Sequence, residues 1–471
     1  MPSRAAPLLI SLAVLALAPD ARAFGADPFD TAAATPPRPA LNGAERGSDA
    51  MPCEPPRSAA PFGAQLSALD AVDLALCRNP QTREVWANAR AQAALLGVAQ
   101  AAYLPSLDGQ ATIGRVRSDG AEAGQRSAAL TLSWLLFDFG ARAANRENAR
   151  QLLEAASATL DSTVQSVFLN ALQSYYAAQA ARATLGAAQE SEKASRESLS
   201  AAEVRYRVGT GTPADRLQAQ TAWSQATLNR IRAEGEVRNS LGTLANVMGL
   251  DANQPLILAE IADFAALAPD AAYQRDVDAL IEEARQRRPD LKAAEAQFRA
   301  AQSNVDLTRA AGRPTLSLAA GPSWQDSGGV SSNSSSIGLS VSVPLFSGFS
   351  TTYRVRNAEA LAEARAAQRD RVSLQVALDV WKAYQSLTTA NQSIRTTIDL
   401  LASAEQSERV ALGRYKAGVG NILDVLNAQT ALAAARQQRV QATLDWQVYR
   451  ATLAQAIGAL DSGLLQGNPG R

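Results

Sequence analysis

The feature that most constrains this chain is a duplication of fixed offset. Arg78-Asn79-Pro80 recurs as Arg287-Arg288-Pro289, a shift of 289 − 80 = 209 residues. Pro105-Ser-Leu107 recurs as Pro314-Thr-Leu316 and Leu136-Phe137 as Leu345-Phe346, at the same 209. Arg205-Tyr206-Arg207-Val208-Gly209-Thr-Gly211 returns as Arg414-Tyr415-Lys416-Ala417-Gly418-Val-Gly420, Ala219-Gln220-Thr221 as Ala428-Gln429-Thr430, and Met248-Gly249 as Ile457-Gly458. A constant offset over so long a stretch means two copies without a gap, near residues 71–250 and 280–459. Each copy is then one structural unit, and the two are pseudo-symmetric.

Around the copies the chain divides as 1–23, a signal peptide; 24–66, an irregular lead rich in Pro, Ala, Gly and Asp; 67–250, the first repeat; 251–276, a connector; 277–460, the second repeat; and 461–471, a tail. The signal peptide reads from Arg4, the apolar run Pro7 to Ala18 and the small-x-small site Ala21-Arg22-Ala23. That run is shorter than a bilayer-spanning helix, and no later segment has the roughly 18 unbroken apolar residues that one needs. An exported chain of this kind is soluble or a β-barrel.

Each copy reads as helix, strand, strand, long helix, long helix. The first helix covers about 68–102 and 277–311 and stops at Pro105 or Pro314. Ile337, Leu339, Val341, Val343 and Leu345 alternate with Ser336, Gly338, Ser340 and Ser342, a strand's period of two. Leu130, Leu132, Trp134 and Leu136 keep the same phase, and Leu316 and Leu318 alternate with Thr315 and Ser317. Strands of about 10 residues are long enough to cross a membrane when tilted. Arg117 to Gln125 and Gln325 to Ser335 read as exposed loops between them. Tyr103, Phe137, Phe139, Phe346, Phe349 and Tyr353 collect where strand meets helix. They read as an interfacial girdle or as ordinary junction packing.

Beyond the strands no Pro occurs from 106 to 212 or from 345 to 468. The stretch from Arg142 to about Arg207 is rich in good helix formers, and at ~1.5 Å per residue it reaches on the order of 100 Å. Val164, Phe168, Leu172 and Tyr175, and Leu374, Leu378, Trp381 and Tyr384, have coiled-coil spacing.

Four strands per chain cannot close a barrel, and an open edge is not tolerated in lipid. Strands must therefore be pooled between chains. Two chains give eight strands with a filled lumen, whereas three give twelve and leave a pore. The fold class is accordingly an α+β membrane protein: a trimeric 12-stranded β-barrel, four strands per chain, continued by a long α-helical coiled-coil periplasmic tunnel.

Composition removes other classes. Lys+Arg and Asp+Glu both number 45, so there is no excess basic charge of the kind that binds nucleic acid. His is absent, which takes away the commonest general base and metal ligand. No Ser/His/Asp set, metal cluster or nucleotide-binding motif is present. The reading is no enzyme, no cofactor and no metal. Cys53 and Cys77 are the only cysteines; export permits a disulfide between them, two unpaired thiols being the alternative.

Over residues 67–460 the chain resembles the TolC family of outer-membrane export and efflux ducts, most specifically at Arg414-Tyr-Lys-Ala-Gly-Val-Gly-Asn-Ile-Leu-Asp424-Val-Leu-Asn427-Ala-Gln-Thr430. Ala71-Val-Asp-Leu-Ala-Leu-Cys77-Arg-Asn-Pro80, with the earlier Cys53, is similar to members that serve type I secretion of an adenylate cyclase toxin (cyclolysin). The resemblance implies a homotrimer docked by a periplasmic adaptor (membrane fusion) protein and an inner-membrane ABC transporter, with a secreted protein as substrate and outer-membrane lipid around it. A multidrug efflux duct is the runner-up, and a periplasmic coiled-coil scaffold without a pore is the reading from another class. The resemblance also implies an entrance gate. There Tyr415 is the tying tyrosine, Asp215 its partner in copy one, and Asp424 the first of two aspartate rings. Asn427 stands where the second aspartate would be, and Gly420 where a gate-holding arginine would be. From the residues themselves, Thr212-Pro213 with Asp215 forms a capping box, and Asn421 with Asp424 repeats it.

Overall fold

The computed structural model describes residues 27–37, 65–118, 121–259 and 276–460. The signal peptide, Cys53, most of the irregular lead and connector, and the tail lie outside the described residues. The elements are α1 (Thr31–Ala34), α2 (Ala68–Arg78), α3 (Pro80–Ala101), β1 (Ser106–Ser118), β2 (Ala121–Phe137), α4 (Ala141–Arg207), α5 (Pro213–Val247), α6 (Val277–Arg287), α7 (Pro289–Ala310), β3 (Thr315–Ser327), β4 (Val330–Ser342), α8 (Ser350–Lys416) and α9 (Ile422–Ala456). From α2 onward each element of the first half begins 209 residues before its counterpart, as in 277 − 68 for α6 and α2.

The predicted first helix is two helices. It breaks at Asn79 (ψ 128°) and Arg288 (ψ 123°), each followed by proline. The pyrrolidine ring pushes the preceding residue out of the helical region and then starts the next helix well. Each break is held by a polar residue. The Asn79 side chain donates to Val247 O at 3.0 Å. Arg288 donates to both Asp290 oxygens (3.0 and 2.6 Å) and to Asp379 at 3.0 Å. The Met-Gly and Ile-Gly pairs also pack here. A Cβ on Gly249 would lie 2.7 Å from Arg78 O and one on Gly458 3.1 Å from Arg287 C, and both glycines are left-handed (φ 73°).

The chain divides into two compact units. One holds the N-terminal segment, Asn88–Glu154 and Ala296–Ala364, and so the sheet. The strands form an antiparallel meander, β1-β2-β3-β4. They run to 13, 17, 13 and 13 residues, longer than the sequence suggested. Residues 117–118, 121–125, 325–327 and 330–335, expected to be loop, are the outer arms of the hairpins. The β3–β4 connection is only Gly328-Gly329 (φ 60° and 90°), a two-residue turn with the left-handed backbone that a twisted hairpin wants. At the other end β4 stops at Ser342, leaving Val343–Phe346 outside the ladder, because Pro344 has no N–H to donate. Leu135, its counterpart in copy one, keeps β2 in the ladder to Phe137.

Register sorts the side chains into two faces. Leu107 pairs with Leu132, Trp134 with Leu318, Leu318 with Leu339, and Leu316 with Val341. On the other face Ser106 pairs with Ser133 and Ser317 with Ser340, whose hydroxyls hydrogen-bond at 2.8 Å. The apolar face lies open: Ile337 is 79% and Val341 64% exposed. One expectation fails here. Leu136 is not in phase with Trp134, because the register slips between Leu135 and Phe137 and places Phe137 opposite Leu316. A β-bulge has inserted one residue.

The second unit holds most of α4, α5, α8 and α9 together with α2 and α6. Its core is two clusters in equivalent places, one around Val167, Ala171 and Leu244, the other around Val376, Val380 and Leu453. Phe168, Leu172 and Tyr175 are buried as their spacing suggested. In copy two the core face of α8 is instead Val376, Val380, Ala383 and Leu387, and Leu374, Leu378 and Trp381 are exposed (71, 42 and 48%). Helix α8 carries two apolar stripes, and spacing alone did not tell them apart.

Candidate functional site

The hairpin between α8 and α9 carries most of the predicted gate residues. Helix α8 ends in a Schellman turn: Val419 N–H donates to Arg414 O at 3.0 Å and Gly418 N–H to Tyr415 O at 3.0 Å, with Gly418 left-handed at φ 81°. Gly420 follows. A Cβ there would lie 3.0 Å from both Arg414 C and Tyr415 N, so an arginine in this place would crowd the turn. Gly211 is pressed in the same way, 3.0 Å from Tyr206 N.

Tyr415 is buried at 2% exposure, beside Ile422 and Val425. What holds it is Arg205, at the end of α4. The guanidinium donates to Tyr415 O at 2.9 Å and lies 4.6 Å over the ring, a cation–π contact added to a charge-assisted hydrogen bond. Burial raises the phenol above its ordinary value, Arg205 opposes that, and Asp215 adds to it. Asp215 acts on Tyr415 at a distance while its carboxylate caps a helix: Thr212 N–H donates to Asp215 at 3.1 Å, and Asp215 N–H returns a bond to Thr212 Oγ1 at 3.1 Å. Arg205 stood in the repeat motif, but nothing in sequence separated it from Arg414, its copy-two equivalent.

The second capping box is not formed. Asn421 Oδ1 accepts from Leu423 N–H at 3.2 Å, one residue short of Asp424. The Asp424 carboxylate is exposed and makes no hydrogen bond or ion pair among the described residues. Asn427 is exposed one turn further along the same helix. The amide oxygen of Asn421 reaches the second residue of α9 readily, which leaves Asp424 to solvent.

The aromatic positions divide. Tyr103 belongs to a packed junction: Trp134 Nε1 donates to its carbonyl at 3.0 Å, and Arg142 lies 4.9 Å over its ring. Phe346 and Phe349 are 77% and 65% exposed and meet edge to face at 5.5 Å, as Phe137 and Phe139 do at 4.8 Å. Cys77 lies in the last turn of α2, and no free cysteine occurs among the described residues. Its expected partner, Cys53, lies outside them.

The sequence profile described as outer membrane efflux protein matches residues 71–250 and 280–459, more than half of the chain. Protein CyaE of Bordetella pertussis is 35% identical over 447 residues, covering 93% of this chain and 92% of that one. Outer membrane efflux protein BepC of Brucella suis is 27% identical, with 80% and 82% covered. A solved structure of CusC, described as showing conformational changes that accompany folding and transmembrane channel formation, superposes with a TM-score of 0.75 at 21% identity, covering 84% and 93%. The fold is that of the trimeric channel-tunnels, and its place is the cell outer membrane with a periplasmic extension. This chain is a member of the outer membrane efflux protein family.

Proposed function

We propose that three copies of this chain form a passive exit duct for a protein, the outer-membrane part of a type I secretion system. The observation that carries the duct is the open four-stranded sheet, apolar on one face and lined with hydroxyls on the other. Edge strands β1 and β4 have no further partner among the described residues. In lipid that is resolved by pairing β4 of one copy with β1 of the next, and twelve strands leave a water-filled bore. The stripe Leu374, Leu378 and Trp381 is a surface for a neighbouring copy to cover. Secretion rather than efflux is supported by the greater likeness to Protein CyaE than to the efflux-named BepC, together with the block around Cys77. The duct supplies no energy. A periplasmic adaptor and an inner-membrane ABC transporter provide the substrate and the drive.

At the entrance, Asp424 from three copies forms a ring that favours cations. The Arg205–Tyr415 contact holds the α8–α9 hairpin against the end of α4. Efflux is the second reading, favoured by the family description. Deleting the gene in its host separates the two. Loss of a secreted protein with unchanged drug sensitivity supports secretion, whereas drug sensitivity with intact secretion overturns it. Pore activity of heat-stable trimers in planar bilayers distinguishes either duct from a pore-free scaffold.

A further inference from the structure

The apolar face of the sheet does not end in loops. It ends in arginines. Toward the hairpin ends, the face that carries Leu107 and Ile113 on β1 continues with Arg115 and Arg117, and the face that carries Leu130 on β2 continues with Arg126. A charge on the lipid side of a barrel costs about 2–4 kcal/mol at the midplane and roughly nothing at the boundary, so these residues mark a boundary. Its height agrees. Arg126 lies 137 − 126 = 11 residues beyond Phe137. At ~3.3 Å per residue and a tilt of ~45°, that is a rise of ~25 Å, the thickness of the apolar band of such barrels. Phe137 is beside the helices and Arg126 toward the hairpins, so the arginines stand at the outer leaflet. Trp324, opposite Ala128 on the same face, is the residue type expected at that level.

Two of the arginines are unengaged. Arg117 pairs with Glu122 at 3.6 Å. Arg115 and Arg126 make no hydrogen bond or ion pair among the described residues, although Asp326 is the register partner of Arg126. Between them is a gap. Arg115 stands opposite Gly124, and a Cβ built there meets nothing within 4 Å. Arg126 is two residues from Gly124 on the same strand face, which places it diagonally from Arg115, ~7–8 Å away. Two long guanidinium side chains over an empty glycine position can converge on one tetrahedral anion from two sides.

We propose that Arg115 and Arg126 bind the phosphate of an anionic lipid headgroup in the outer leaflet. The lipid is the source because the site is continuous with the membrane-facing band and opens sideways from it, not into the lumen.

The test uses the full-length trimer in phosphatidylcholine vesicles, with and without diphosphoryl lipid A, and reads the temperature at which the trimer dissociates. Wild type gains a few degrees with lipid A. The R115Q/R126Q double variant loses that gain while keeping its dissociation temperature in phosphatidylcholine alone, and R117Q keeps the gain. A double variant that gains as much as wild type, or a wild type that gains nothing, overturns the lipid site. An equal gain from millimolar inorganic phosphate without lipid A overturns the lipid as its occupant. The inference rests on the barrel reading: failure to insert into phosphatidylcholine vesicles overturns both, whereas an inserted trimer indifferent to lipid A overturns only the site.

Discussion

Arg230 and Arg439 occupy the same place in the two copies, 209 residues apart, and live in different surroundings. Arg230 on α5 is held by Glu192 at 2.7 Å and by Glu234. The positions equivalent to those glutamates in copy two are Leu401 and Thr443. Arg439 on α9 is 8% exposed and donates to a single carbonyl, Ile394 O, at 3.2 Å. Burial pushes its guanidinium below the usual value, with no carboxylate among the described residues close enough to oppose it. The strand–helix junctions differ in the same sense. In copy one Arg142 pairs with Asp138 at 2.9 Å and donates to Leu135 O and Leu136 O around the bulge. In copy two Ser347 and Thr351 share one hydroxyl hydrogen bond of 3.1 Å. At these two places copy one fastens its helices with charges, and copy two holds the same backbone with apolar contacts and hydroxyls; at the helix break the order is reversed, a neutral Asn79 in copy one against the Arg288 ion pairs in copy two.

That contrast can be broken at its strongest point first. Asp138→Ala leaves Arg142 in a nearly buried site without its counter-charge, a loss of about 3–5 kcal/mol, whereas Ser347→Ala loses under ~1 kcal/mol; thermal unfolding of the two variants measures the gap. The first junction also responds to pH. Burial alone would raise the Asp138 carboxyl, but its hydrogen bonds and ion pair with Arg142 hold it below 3.8. A depressed value means that the contribution is complete above 3.8 and lost as pH falls through the lowered value. The Ser347→Ala variant should therefore lose stability in acid as wild type does, and Asp138→Ala should lose less.

Next comes the entrance. Arg205→Ala removes about 1–2 kcal/mol of contact with Tyr415 and should raise resting conductance in planar bilayers. Arg414→Ala, at the equivalent exposed position, should not; equal effects would mean that the two arginines share one role. A comparable change of opposite sign is expected at Arg439. Replacing it with Met removes an uncompensated buried charge and should stabilise the protein by roughly 1–2 kcal/mol, whereas Arg230→Met strands two glutamates and should destabilise it. A lower unfolding temperature for Arg439→Met would show that a carboxylate from a neighbouring copy reaches that site. The smallest effect on stability is expected from Asp424→Ala. It should leave unfolding unchanged and reduce cation selectivity; unchanged selectivity would rule out the ring.

The large features were legible because they rest on period and repetition. The offset of 209 reappears in every element from α2 onward, and the alternation from Ser336 to Ser342 is strand. What was missed depends on neighbours. Gln325 to Ser335 has loop composition, but β3 and β4 complete each other's ladder as far as Gly328-Gly329, and hydrogen bonds across a hairpin are blind to composition. Pro80 and Pro289 are favourable first residues of a helix, so composition on either side does not show the break before them. The engagement of Arg205 with Tyr415 joins residues 210 apart in sequence, and neither side chain announces the other. Asp424 departs in the opposite direction: the motif suggests a cap, and Asn421 alone supplies it.

The turns that lead from sheet to helix show what the duplication handed down. Copy one places Phe139 and Gly140 in the left-handed region, at φ 50° and 93°; copy two places Gly348 and Phe349 there, at 59° and 62°. The dipeptide has been inverted and the path of the chain has not. A left-handed phenylalanine costs roughly 1–2 kcal/mol, and either copy could shed that strain by becoming Gly-Gly. Both have instead kept one ring standing on contorted backbone. What descended through the two halves was a shape with an aromatic upon it, and the letters that spell it were free to change places.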